Sequence, residues 1–430
     1  MKSLLILMLV LLPAVAYAID AGFPLPDEYA KRASEGIEKY RKSDAVIRVM
    51  NDRGEYLPDA RVEAHQVSHD FLFGCAFPSW DISKGQPNPE TLAKFEKHFL
   101  TLFNYTTPEN MLKWKPMERV EGQPDYHMID AYVDWCIKNH ITIKGHTLAW
   151  GHDQGHPGWL DSHSPDEVSK LTEKHIRDVV GRYKGKVDIW DVVNEPMDQH
   201  WFEGHMSPYY AVKSLKWARE ANPKATLIVN EYSCHFDDKA ERFTALCKRY
   251  MDNGAPIDAL GEQAHDPPRI MSPKRMYDTL DELASLGKDV HLTEITYPSN
   301  GAEINSDFVK GKWTPEIQAK YYRYYYTLAF SHPKVKAITL WAMWDGSSWL
   351  KEGGIIAKDW QPKPAYHELD SLINKEWRTN ASGSTSLNGD YRFRGFHGNY
   401  EVKVTAGGKT KTAKLHIADG NNNTLLVRML

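Results

Sequence analysis

The chain has 430 residues, 42% of them hydrophobic and 26% charged, with a formal net charge of -4. That apolar content can fill one large core and a smaller appendage. Both charge signs are abundant, so no basic surplus points to nucleic acid and no polybasic run points to anionic lipid.

In chain order, the amino terminus comes first. Lys2, the apolar run Leu4 to Leu12 and the small-x-small triplet Ala16-Tyr17-Ala18 form a secretory signal over residues 1–18, cleaved near Ala18. The run is too short for a membrane span, and no other stretch approaches that length. The expectation is an exported protein, extracellular or periplasmic. Residues 19–66 predict a helix over Glu28 to Lys42. After it, strands Ala45–Met50 and Arg61–His65 around Asn51-Asp52-Arg53-Gly54 read as a β-hairpin.

Residues 67–376 alternate apolar runs with amphipathic stretches. The strands expected are Phe71–Ala76, Leu102–Tyr105, Ile141–His146, Val187–Val193, Thr226–Asn230, Ala259–Gln263, Asp289–Thr293 and Ala337–Trp341. The helices expected are Pro89–Phe99, Tyr126–Asn139, Pro165–Tyr183, Tyr209–Ala221, Lys239–Asn253, Pro273–Leu286, Thr314–Phe330 and Pro364–Leu372. Several open on Ser, Thr, Asp or Pro, as helix starts prefer. Eight of each, alternating, is the count of an α/β fold of the (β/α)8 TIM-barrel type. A doubly wound open sheet is the alternative, but no glycine-rich nucleotide loop follows the first strand.

Residues 377–430 change character. Thr379 to Asn388 is rich in Ser, Asn, Thr and Gly, and short strands split by turns follow. This is a small β module, expected to associate with the early hairpin because domain termini often lie close. Its aromatics Phe393, Phe396 and Tyr400 suit either glycan stacking or a β cap on the barrel. Cys75, Cys136, Cys234 and Cys247 are too few for a disulfide scaffold. The first two read as buried thiols, and the last two are candidates to pair.

The chemistry centres on Trp190-Asp191-Val192-Val193-Asn194-Glu195-Pro196. An apolar run buried on both faces ends abruptly, and proline places Glu195 at the strand's carboxyl end, where barrel catalysts sit. Asp289-Val290-His291-Leu292-Thr293-Glu294 repeats the device. In barrel numbering these end strands four and seven, so the carboxylates face one mouth. Such a pair is what glycosidic hydrolysis requires. The 14 Trp and 22 Tyr suit stacking against sugar rings.

These residues resemble family 10 of the glycoside hydrolases, the family of retaining β-1,4-xylanases. The resemblance covers about Asp70 to Trp349 and rests on ordered motifs. They are Thr107-Pro108-Glu109-Asn110-Met111-Leu112-Lys113-Trp114, Gly145-His146-Thr147-Leu148-Ala149-Trp150, the Glu195 motif, Gln263-Ala264-His265, Thr293-Glu294, and Trp341 through Asp345 to Trp349. The resemblance implies Glu294 as nucleophile and Glu195 as acid/base, with Asn194 on the sugar 2-hydroxyl and His265 beside the nucleophile. It further implies that Glu109, Asn110, Lys113, His146 and Gln154 hold sugar hydroxyls on the non-reducing side. Trp341 and Trp349 would wall the cleft and Tyr232 would serve the leaving-group side. Trp150 and Gln263 join the substrate-binding set. No metal or cofactor is implied. The partner expected is xylan or a related β-1,4-linked plant polysaccharide, and the protein is expected to be monomeric.

Departures from the family pattern are informative. Thr296 stands where an Asp usually bonds the sixth-strand histidine, which predicts an altered pH optimum or a weaker enzyme. Gly151 is inserted between Trp150 and His152, loosening the expected contact to Gln154. Glu231 replaces an Asp, and Trp344 replaces a smaller residue, crowding the mouth. Three competing readings are weighed. The same chemistry could act on another β-1,4-glycan. A non-catalytic glycan-binding relative would not need both Glu195 and Glu294. A metal-dependent hydrolase could use His152 and His156, but Gly151, Gly155 and Pro157 surround them and no HExxH glutamate lies between.

Overall fold

In the computed structural model, which describes Phe23 and residues 25–267 and 269–429, the apolar runs become the staves of a barrel. Two strands precede it, β1 (Lys42–Met50) and β2 (Arg61–His69). The barrel strands are β3 (Leu72–Phe77), β4 (Tyr105–Pro108), β5 (Thr142–Trp150), β6 (Ile189–Asn194), β7 (Thr226–Glu231), β8 (Ala259–Glu262), β9 (Asp289–Ile295) and β10 (Val335–Leu340). All pair in parallel and in sequence order, and β10 closes on β3. Helices cover the strands, so both faces of each are buried and near-continuous Val, Ile and Leu runs are what the sheet needs. Helix starts carry the expected signals. Asn88, Ser272 and Thr314 accept hydrogen bonds from first-turn amides, and Ser164 with Glu167 forms a capping box.

The second barrel strand is Tyr105–Pro108, later than the predicted Leu102–Tyr105. The capped helix Pro89–Leu102 runs through the start of the predicted strand. Asn104 then stops the chain: its side chain accepts from the Phe73 amide at 2.9 Å and donates to the His69 and Phe71 carbonyls. The fourth barrel strand begins at Ile189 instead of Val187, and the eighth spans Val335–Leu340. The early helix is Asp27–Tyr40, because Lys42 already pairs with Phe396.

The early hairpin does not form. A turn at Asn51–Gly54 and one Met50–Tyr56 bridge are present, but β1 and β2 lie in different sheets. Their partners come from the carboxyl end: β11 (Asn380–Ser384), β12 (Asp390–Phe396), β13 (Gly398–Ala406), β14 (Lys409–Ile417) and β15 (Thr424–Arg428). One sheet runs β12-β1-β15 and the other β11-β2-β13-β14. Between them lies a separate core that includes Ile47, Val49, Val62, Val402, Val404 and Ile417. Alternating residues of β1 and β13 face inward, so neither strand could bury its apolar face in a two-stranded hairpin.

The module's aromatics serve packing. Tyr400 is buried with its hydroxyl on the Phe396 carbonyl, and Phe396 joins the barrel's core beside Phe330. That selects the β cap over a stacking surface. Arg41, buried at this junction, donates to the Phe330, His332 and Val335 carbonyls. These include the last orphan acceptors of helix Pro315–Ser331. All four cysteines are buried free thiols, so Cys234 and Cys247 do not pair. Among the described residues no helix is long and apolar enough to cross a membrane. The signal segment lies outside the described residues.

Candidate active site

Barrel register sets the site. Trp150 pairs with Asn194 and Asn194 with Asn230, giving one row across the ends of β5, β6 and β7. Lower down, His146 lies opposite Asp191. Glu195 follows β6 immediately, and Glu294 is the penultimate residue of β9. Both predicted carboxylates therefore reach the carboxyl-terminal mouth. Glu195 has φ 54°, and Ser233 and Ala264 beyond β7 and β8 have φ 56° and 54°. Left-handed backbone is costly for residues with a Cβ and collects at functional sites. Here it turns the chain sharply off three neighbouring strands. The Glu195 amide still bonds the Asn230 carbonyl at 2.7 Å, so the turn is held from the next strand.

Glu195 is gripped at both oxygens. Trp150 Nε1 donates to Oε2 at 2.7 Å and Gln263 Nε2 donates to Oε1 at 2.9 Å. Gln263 Oε1 in turn receives His265 Nε2 at 2.7 Å. Glu294 is buried, and Asn230 Nδ2 donates to its Oε1 at 3.0 Å. The same amide reaches Asn194 Oδ1 at 2.8 Å, while Thr293 Oγ1 donates to Asn230 Oδ1 at 2.7 Å. His265 Nε2 lies 3.6 Å from Glu294 Oε2, beyond a hydrogen bond. Gln263 and His265 thus lead from Glu195 toward Glu294 without closing the last hydrogen bond, while Asn230 ties the Glu294 carboxylate to the Asn194 side chain.

Their surroundings differ. Burial pushes the Glu294 carboxyl above the usual range; the His146 and Lys144 charges oppose it and Glu195 adds to it. Lys144 and Asp191 are fully buried and 2.6 Å apart, and His146 Nδ1 is 2.9 Å from the same Asp191 oxygen. Burial alone would raise Asp191, but Lys144 and His146 hold it below its ordinary value. A chain of alternating charge therefore runs beneath Glu294, fixing the orientation of His146. Sequence reading missed both Lys144 and Asp191. Each is a charge inside an otherwise apolar strand, but their meeting depends on the register, which sets Lys144 opposite Ile189 and His146 opposite Asp191.

The remaining predicted residues divide by place. Lys113 is buried, donates to Asn110 Oδ1 at 2.6 Å and lies 4.7 Å over the Trp150 ring. Burial lowers its pKa, with Glu294, Glu109 and Glu195 opposing. Glu109 is raised by burial. Trp341 is buried with its ring 5.3 Å from His146. Trp349 is exposed, 5.2 Å from the His265 ring. Tyr232 is capped by the Lys239 ammonium at 3.6 Å. Lys239 also pairs with Asp198 and with buried Glu231, whose carboxyl burial lifts to about 7. Gln154 is exposed and shares a hollow with Asn110 and Lys113, so the Gly151 insertion leaves it at the same wall. Asn230, absent from the predicted set, is the hub that touches both Asn194 and Glu294.

Thr296 does more than leave a gap. Its hydroxyl receives the Trp349 indole at 3.4 Å, and His265 Nδ1 is buried without a hydrogen-bond partner. Burial lowers the His265 pKa, with Asp266 and Glu195 opposing. His152 and His156 do not form a metal pair, because each stacks on its own indole, Trp150 and Trp201. Among the described residues, His235, Glu262 and Asp266 come close enough for metal ligation. However, the two His235 nitrogens each face a different carboxylate at 3.2 Å, so the ring itself bridges them.

Comparison with known proteins gives the same reading. Endo-1,4-beta-xylanase B of Thermotoga neapolitana is 30% identical over 335 residues, covering 74% of this chain and 92% of that one. Endo-1,4-beta-xylanase A of Caldicellulosiruptor is 31% identical over 354 residues, covering 75% and 50%. Xylanase 10B of Thermotoga petrophila, solved in complex with xylobiose, has a TM-score of 0.62 at 26% identity, covering 71% of this chain and 95% of that one. The chain spans about half the length, or less, of several curated relatives. The model of glycosyl hydrolase family 10 matches residues 64–371, and the chain belongs to that family.

Proposed function

We propose that this chain is a secreted, endo-acting β-1,4-xylanase that retains anomeric configuration through a covalent glycosyl intermediate. The observation that carries the reading is the pair of strand-end carboxylates held differently: Glu294 buried on Asn230, Glu195 gripped by Trp150 and Gln263. Glu294 Oε attacks the anomeric carbon while protonated Glu195 gives its proton to the departing glycosidic oxygen. The C–O bond to the leaving sugar breaks as the ester bond to Glu294 forms. Glu195, now a carboxylate, takes a proton from water; the hydroxide attacks the same carbon and Glu294 leaves. Asn194, fixed by Asn230, would bond the sugar 2-hydroxyl, a contact that tightens as charge develops in the ring. Lys113, His146, Asn110 and Glu109 would hold the glycone, and Tyr232 the leaving side. Export rests on Lys2, the Leu4 to Leu12 run and Ala16-Tyr17-Ala18. Xylan is the proposed partner, met by a monomer.

The test is a substrate panel on protein beginning at Ile19. Xylan should yield new reducing ends with retained configuration, and Glu294→Ala should abolish it. Glu195→Ala should spare the first step on aryl xylosides with activated leaving groups and stall the second. Equal turnover of carboxymethylcellulose would transfer the reading to a broader β-1,4-glycanase. No turnover of any β-1,4-glycan would remove it.

A further inference from the structure

Beyond the Trp150–Lys113 contact the cleft wall opens into a hollow of about 350 Å³ lined by Asn110, Lys113, Lys115, Pro116, Arg119 and Gln154. Three of its six lining residues are cations and none is a carboxylate. Most of the nearby acid groups are committed elsewhere, Asp81 and Asp125 to His127. Glu118 receives the Trp114 indole and the Gly122 amide, and Glu109 sits beside Lys113. Lys113 is buried and directs its charge at Glu294, Glu109 and Glu195. Lys115 and Arg119 are exposed. Lys115 Nζ is steadied by the Asp153 backbone carbonyl at 2.6 Å, and among the described residues neither Lys115 nor Arg119 has a carboxylate within ion-pair distance. Arg119 also borders a second hollow of about 560 Å³, which shares Asn110 and Pro116 with the first. The two cations therefore stand where the cleft continues past the residues that would hold the glycone.

A neutral xylan backbone offers them hydroxyls only. Two cations without an ion pair, over a sugar-sized hollow that no carboxylate lines, with Gln154 and Asn110 as neutral donors and acceptors, match a sugar that carries a carboxylate. We infer that this hollow recognises a uronic acid branch on the glycone side of the β-1,4-xylan chain, so that the preferred substrate is an acidic xylan. The inference rests on the xylanase reading above and adds the class of substituent. An exposed guanidinium–carboxylate contact is individually weak and is screened by salt, so the preference should be modest and salt-dependent.

The experiment compares a uronate-substituted xylan with a neutral linear xylan on the full chain, at low and high ionic strength, with product mapping by mass spectrometry. The ratio of kcat/KM, acidic over neutral, should exceed one at low salt and fall about threefold or more at 0.5 M NaCl. In Arg119→Gln, and further in Lys115→Gln/Arg119→Gln, that ratio should fall about two- to tenfold. Arg119→Lys should recover part of it. Glycone-side products of the wild type should carry the uronate at a fixed number of units from the new reducing end. A ratio of one or less, a ratio indifferent to salt and to Arg119, or uronates scattered over the products would overturn the inference while leaving the xylanase intact. Failure on both xylans would instead remove the xylanase reading.

Discussion

Trp150 donates its indole N–H to Glu195 Oε2 at 2.7 Å, and that bond spans two adjacent barrel strands at one level. The indole thereby fixes the proposed acid/base before any sugar arrives. A hydrogen bond to the carboxylate that Glu195 becomes as its proton leaves contributes about 1.5–3 kcal/mol. Trp150→Phe keeps an aromatic face for Lys113 and deletes only the donor. It should lower kcat/KM on xylan about ten- to a hundredfold. Aryl xylosides with good leaving groups should be affected least, since they need little proton donation. An equal loss on both substrate types would argue that the ring only packs.

The Thr296 position yields a second test. His265 Nδ1 is buried and unpartnered, while Thr296 Oγ1 accepts from Trp349. Thr296→Asp restores the carboxylate that, by the family resemblance, bonds this histidine. A carboxylate favours imidazolium, so the lowered His265 pKa should rise. A charged His265, 3.6 Å from Glu294, stabilises the ionised Glu294 carboxylate. The acidic limb of the kcat/KM profile should therefore move to lower pH, by about half a unit or more. An unmoved limb would show that His265 does not reach Glu294 electrostatically.

Much of this was readable from residues alone, for local reasons. An apolar run followed by Asn194-Glu195-Pro196 can hardly be anything but a buried strand with a carboxylate at its exit, and the structure places it so. Glu294 follows the same logic. What could not be read depends on partners distant in sequence. Nothing near β1 says that it pairs with β12 and β15 instead of β2. Asn104 anchors the chain just before β4 begins and Asn230 unites the site, yet both are ordinary polar residues until their partners are known. Lys144 reads as a surface lysine unless the register that brings Asp191 to it is in hand.

The environment of Glu294 fixes a pH dependence. In its proposed role as nucleophile Glu294 must be ionised, and burial raises its carboxyl above the ordinary value of about 4.3. The acidic limb of kcat/KM should therefore lie above that of an ordinary glutamate, with activity falling as pH drops through it. His146 is the largest of the groups that oppose the rise. His146→Gln removes that opposition, so the limb should shift further to higher pH while the maximum rate falls through lost sugar contact. A shift to lower pH would show that the His146 charge does not bear on Glu294.

The buried pair under the site separates stability from activity. Lys144 and Asp191 have no solvent exposure, so removing one partner strands the other in a dry interior. Lys144→Met should cost about 3–5 kcal/mol in urea unfolding, because Asp191 is left with His146 as its remaining partner. Removing both charges is a different matter: a buried pair replaced by apolar residues is often neutral. Lys144→Met/Asp191→Leu should accordingly recover at least half of the lost stability. It should not recover activity, because His146 Nδ1 then has no acceptor to orient its ring toward the sugar. If the double variant regained turnover along with stability, the Asp191–His146 contact would be packing alone, and the charge chain beneath Glu294 would have no part in the reaction.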